Sequence, residues 1–262
     1  WEESVNYALF TFFYFNVTFR IVKNRLGVDY FQDERMRRFT GWLTRFFGPY
    51  DKRVDAYTFP GVGNSSVPTG GDVLLAYASE LPPDDPLRHD LIAVYEKTQA
   101  TSHVNEDGAI LLAGMAIIPD RKYPLRPLAS EHMKELGVAM RHEHPSPSES
   151  YLFQKIGFWK DHYENDETSF NWYAKGTPLV MDYGTYTPDI APAAAHNLVE
   201  IPDQDSLRRG YMADCFLTPL VDYSRSEVPG TLKLQHGHLR SWAEVDGPPQ
   251  PPKFFYLCDE NP

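Results

Sequence analysis

A chain of 262 residues is long enough for one large domain or two modest ones, each with its own core. With 36 acidic residues against 25 basic the net charge is −11, which excludes nucleic-acid binding through bulk electrostatics, since a phosphate backbone has to be met by Lys and Arg. Two cysteines, Cys215 and Cys258, are too few for a disulfide scaffold and leave either one bridge or two separate thiols.

The first elements read as helices. Ser4 to Asn24 is one apolar, largely aromatic segment, broken by Thr11, Asn16, Thr18 and Arg20. Those breaks make it a helix buried between layers and not a membrane span. It also lacks the basic start and small-residue cleavage site of a signal peptide. The Asn-x-Ser/Thr triplets at Asn16 and Asn64 are read as chance, Asn16 lying inside a helix. Gly27 is a stop signal. A second helix is predicted from Asp33 to Phe47, with Met36, Phe39, Trp42, Leu43, Phe46 and Phe47 at core spacing and Arg35, Arg37, Arg38 and Arg45 on the wet side. Residues 58–71 read as loop. A short helix follows to about Glu80, and the next starts at Asp85-Pro86, a capping residue followed by proline at the first helical position. Paired helices of this kind suit an α/α toroid and equally any helical bundle.

The period changes near Leu128. Strands are predicted at 137–141, 151–156, 169–174, 178–182, 196–201, 211–217, 231–235 and 254–258, with Lys175-Gly176 and Pro229-Gly230 as turns between them. Short strands without intervening helices point to an antiparallel sandwich. The boundary between the two parts falls within 104–134. Dinucleotide, P-loop, G-x-S-x-G, H-E-x-x-H and C-x-x-C patterns are all absent, which demotes nucleotide, hydrolase and zinc-finger readings.

The chemistry-bearing stretch is Asp161 to Val199. His162, Glu164 and Asp166 alternate, Asp182 stands in Met-Asp-Tyr-Gly, and His196-Asn197 follows an alanine-rich run. Histidines and carboxylates gathered from neighbouring strands suit Zn²⁺ or a similar cation. A solvated acidic turn with a core histidine is the competing reading of the same residues. His142/His144 and His236/His238 form further H-x-H pairs without carboxylate support and read as surface or loop residues.

The run resembles the signature of the heparinase II/III-like polysaccharide lyases, in which H-x-H-x-D-x-x-S-F leads through a small-residue turn to Asp-x-Gly and then a His-Asn pair. The matching residues are His162, Asp166, Ser169, Phe170, Gly176, Asp182, Gly184, His196 and Asn197; Glu164 replaces the second histidine. Trp1-Glu2-Glu3-Ser4-Val5-Asn6-Tyr7 is similar to the segment that carries the catalytic tyrosine in that family. The resemblance implies an α+β fold, with residues 1–125 as the carboxyl-terminal part of an α/α toroid and 126–262 as an antiparallel β-sandwich. It implies β-elimination beside a uronic acid in an acidic polysaccharide, with Tyr7 as acid/base and His162 as its partner. Asn6 and Arg141 are expected to face the substrate, although an ion pair with Glu143 or another neighbouring acid is the alternative for Arg141. Glu164, Asp182 and His196 are expected to hold a divalent metal, zinc by analogy, with glutamate shifting preference toward harder cations. A further amino-terminal toroid segment, a periplasmic or secreted location, and oligomerisation also follow from the resemblance as expectations. Glu164 and the absence of those further helices favour the alternative of a non-catalytic carbohydrate-binding module of the same fold.

Overall fold

The computed structural model describes residues 5–52, 56–63, 71–98, 121–134, 136–157, 166–182, 196–197 and 210–228. Helix α1 (Val5–Leu26) buries Val5, Ala8, Leu9 and Phe12. Lys23 and Arg25 in its last turn complement the helix dipole, and Gly27, at φ 70°, ends it by donating its N–H to the Lys23 carbonyl. Asn16 is a buried polar residue on this helix: its amide donates to the carbonyls of Phe12 and of Val73 on the third helix, which leaves no room for a glycan.

After a 3-10 turn (Tyr30–Gln32), α2 (Glu34–Phe46) starts where the sequence places it, because the Asp33 carboxylate accepts from the Arg35 and Met36 amides. The chain then forms a two-residue ladder of β1 (Tyr50–Asp51) and β2 (Ala56–Tyr57). Helices α3 (Gly71–Ala78) and α4 (Pro86–Thr98) follow. Asp85 caps α4 through the Leu87 amide and also receives both prongs of the Arg37 guanidinium at 2.7 and 3.0 Å, tying the start of α4 to α2.

The second part contains a five-stranded antiparallel meander in chain order: β3 (Glu131–Met133), β4 (Gly137–His142), β5 (Ser150–Lys155), β6 (Phe170–Ala174) and β7 (Thr177–Val180). Lys175 and Gly176, both at positive φ (48° and 72°), close the β6–β7 hairpin as a two-residue turn. A Cβ at Gly176 would collide with the Pro147 carbonyl oxygen, so glycine is required there twice over. A separate hairpin pairs β8 (Tyr211–Leu217) with β9 (Asp222–Glu227).

Alternation along β5 sends Tyr151, Phe153 and Lys155 inward. The helices cover this face, with Phe46 of α2 meeting Phe153 edge-to-face at 4.9 Å, and one continuous core joins α1–α4 to β4–β6. On the other side of β5, Gln154 bonds Ser224 and Ser226 of β9, while Ser130 bonds Asp222. The architecture is α+β, helices leading into antiparallel strands.

Strands β1, β2, β3 and β9 were not anticipated from sequence. His196 and Asn197 form a bend instead of opening a strand. The bend follows from their bonds: His196 turns to Asp182 and Asn197 to the Phe170 carbonyl, whereas neighbours in a strand point to opposite faces. The remainder of that predicted strand, and those at 231–235 and 254–258, lie outside the described residues, as does Cys258.

Candidate functional site

Asp182 follows β7, and its backbone N–H is held by the side-chain oxygen of Asn171, an inward residue of β6, at 2.9 Å. This fixes the carboxylate against His196, whose Nδ1 lies 2.9 and 3.0 Å from the two Asp182 oxygens. Both side chains are 1% exposed. Asn197 anchors the other end of the bend by donating to Phe170. Two residues 14 apart in sequence, both expected as metal ligands, thus form a buried imidazole–carboxylate pair. The third expected ligand, Glu164, and the expected catalytic His162 lie outside the described residues. Among the described residues no group of three or more His, Cys, Asp or Glu side chains is gathered to hold an ion. A buried carboxylate and imidazole of this kind are donors that suit zinc, directly or with the carboxylate orienting the ring.

A second buried group stands at the end of β5. Lys155, with its side chain 1% exposed, places Nζ 2.5 Å from Asp166 Oδ1 and 3.4 Å from Glu167 Oε2. The other Asp166 oxygen accepts the Gly63 amide at 2.6 Å, and Glu167 Oε1 accepts the amides of Gly157 and Gly210 at 2.8 and 2.6 Å. Burial pushes the Glu167 carboxyl above its ordinary range despite the nearby ammonium and amides. Asn171 adds a bond to the Gly61 carbonyl. None of Lys155, Glu167 and Asn171 was singled out from sequence; the signal present was the inward phase of β5 and β6, which a lysine or asparagine does not advertise.

Arg141 lies at the opposite end of β4, and its side chain is 1% exposed. It pairs with Glu149 at 2.8 Å, not with Glu143, donates to the carbonyls of Arg45 and Phe47, and stacks over the Tyr151 ring at 4.5 Å. As placed, it joins the end of α2 to the sheet, and contact with a sugar would require that ion pair to open. His144 differs from the expectation of a surface residue without carboxylate support: its side chain is fully buried, with Nδ1 2.8 Å from Glu149, because the turn after β4 folds it under Phe47. His142, its partner in the H-x-H pair, is exposed. Burial drives the Tyr151 hydroxyl far above its ordinary pKa. Tyr7 lies in the first turns of α1, half-buried, one residue after Asn6 in the same turn.

No protein-family model and no curated protein matches this sequence. Solved structures do. The chain superposes on the crystal structure of heparinase III with a TM-score of 0.61 over 84% of its length, at 15% identity. Over the matched part, the fold is similar to that of heparinase III. The chain spans 34% of that solved chain. A heparan sulfate lyase, HepC from Pedobacter heparinus, matches over 87% of this chain and 34% of its own, with 13% identity and a TM-score of 0.49. Identity this low carries the heparinase III backbone plan across and leaves the chemistry to be argued from the residues.

Proposed function

We propose that the protein is a polysaccharide lyase that cleaves a uronic-acid-containing chain by β-elimination. The observation that carries the reading is the buried Asp182–His196 pair. It is assembled in a heparinase III fold from two members of the ordered run in which Asp166, Ser169 and Phe170 also stand. The two-part plan belongs to the same proposal: residues 1–125 as part of an α/α toroid and 126–262 as an antiparallel β-sandwich. So does an acidic polysaccharide as substrate, which a local groove has to attract against the net charge of −11.

β-Elimination removes the weakly acidic proton on C5 of the uronate and expels the glycosidic oxygen. Negative charge grows on the sugar carboxylate as the proton leaves, so that carboxylate needs neutralising and hydrogen-bonding partners. Tyr7 moves the proton: as the phenolate it takes the proton from C5, and the phenol so formed gives it to the glycosidic oxygen as the bond from C4 to that oxygen breaks. Holding the phenolate requires positive charge nearby, because a free tyrosine has a pKa of about 10. His162 is the partner that binds or neutralises the carboxylate, and Asn6 donates to the sugar. Asp182 and His196, with Glu164, would hold a divalent cation such as zinc. When bound, the ion would supply positive charge and order to the segment that carries His162.

The test is incubation of the protein, with and without added zinc, with a panel of uronate polymers. A rise in absorbance near ~230 nm, where the unsaturated product of C5 proton loss absorbs, is the expected result. Binding to one of the polymers without any such rise would replace the lyase by a carbohydrate-binding module of the same fold, the alternative that Glu164 favours.

A further inference from the structure

The group around Lys155 does more than satisfy a buried charge. Its bonds end on the backbone at three places, the amides of Gly63, Gly157 and Gly210. Gly63, held by Asp166, precedes 64–70. Gly157, held by Glu167, precedes 158–165, and Asp166 itself follows that segment. Gly210, also held by Glu167, follows 198–209. Residues 158–165 carry both His162 and Glu164. Both ends of this segment are therefore fixed by a single cluster seated on the last residue of β5. The cluster cannot slacken at one end alone, because Lys155 holds Asp166 at 2.5 Å while Asp166 and Glu167 are adjacent in sequence. Space at Gly210 is tight: a Cβ there would come 2.4 Å from Ile156 Cδ1 and 2.5 Å from Glu167 Oε1, so it is accommodated only by moving both side-chain ends.

We propose that Lys155, Asp166 and Glu167 form one positioning unit that fixes the two residues flanking the segment with His162 and Glu164, Gly157 and Asp166, and couples them to the chain at Gly63 and Gly210. None of the three has to touch substrate. Their task is to hold these flanking residues to the tolerance that proton transfer demands, where a displacement of about 1 Å can cost about 10²-fold in rate. The catalytic part of this inference rests on the lyase reading; the coupling of the three glycine amides does not.

Selective ¹⁵N-glycine labelling separates the two. The chain has 17 glycines, and the amides of Gly63, Gly157 and Gly210 report directly on the unit. Asp166→Asn keeps an acceptor for Gly63 but removes the charge that Lys155 faces. Its expected effect is faster hydrogen exchange at all three amides, including the two that Asp166 does not touch, with Gly27, whose amide bonds Lys23 at the end of α1, unchanged. Faster exchange at Gly63 alone, or equal acceleration at Gly27, would overturn the unit. Should Asp166→Asn fail to fold, Gly210→Ala provides the second variant: displacing Glu167, it should accelerate Gly157 and Gly63 as well. On a uronate substrate Asp166→Asn should lower kcat by about 10²-fold with KM held. Unchanged kcat alongside loosened amides would refute positioning for catalysis. A wild-type protein inactive on every uronate would count against the lyase reading, leaving the exchange result to judge the coupling.

Discussion

A phenol and a buried lysine mark the two extremes of what single residues reveal. Tyr7 sits on a helix crowded with aromatics, where a core tyrosine and a proton-transferring one have the same sequence context; only the pattern around Trp1 and Asn6 set it apart. Its role is tested by Tyr7→Phe, which removes one oxygen from a half-buried ring. Turnover should fall by about 10²–10⁴-fold if the hydroxyl transfers the proton. The melting temperature should stay close to wild type, and comparable activity in the two proteins would return Tyr7 to the core. Asp182, His196 and Asn197 were legible because their order and spacing follow a long motif. Lys155, Glu167 and Asn171 were not, since a lysine in a half-polar strand reads as a solvent residue until the strand's partner positions are known. Arg141 shows the same limit: arginine beside Glu143 suggests a local pair, yet the antiparallel turn brings Glu149, eight residues on, against it.

Elements were easier to read than residues because their signals are periodic or sit at their ends. The Asp33 and Asp85 caps placed the starts of α2 and α4, and the alternation of β4 to β7 placed the sheet. The short edge strand β3 and the serine-rich, charged β9 escaped because neither shows the apolar alternation of a half-buried strand. Asp85 provides a prediction at this scale. It receives the Arg37 fork in a largely buried setting, and that guanidinium holds its carboxyl below the ordinary value of 3.8. A carboxyl with a depressed folded-state pKa stabilises fully above its unfolded value and loses that contribution as pH falls through the folded value. Asp85→Asn, which can still cap Leu87, should therefore cost about 1–2 kcal/mol at neutral pH through the lost ion pair. The gap to wild type should close as pH falls below 3.8, when Asp85 becomes neutral too. Denaturant titrations at the two pH values measure it, and a gap of constant size would show that the cap rather than the charge matters.

At the scale of the whole molecule, buried ionic groups stand at both ends of β5, and each bonds to the chain between α2 and α3. At one end Arg141, paired with Glu149, donates to the carbonyls of Arg45 and Phe47; at the other Asp166 accepts the Gly63 amide. Helices and sheet should accordingly unfold together. Arg141→Met leaves Glu149 buried without its guanidinium, a loss of about 3–5 kcal/mol, and adding Glu149→Gln should recover part of it. Urea unfolding followed by helical circular dichroism and by tryptophan fluorescence should show both signals moving by the same amount, since Trp42 lies in α2 and Trp172 in β6. Separate transitions would mean that the ion pair is local to the sheet. The placing of charge at both ends of one strand has a consequence for how the chain finds its pairing. A slip of β5 by a single residue turns every side chain to the other face. It would carry Lys155 away from Asp166 and leave two carboxylates in the core without their ammonium, while also drawing Glu149 off Arg141. Apolar strands tolerate such errors when both faces are greasy. Here the misaligned sheet is penalised at two distant points at once, so electrostatics selects the native alignment against its nearest competitor.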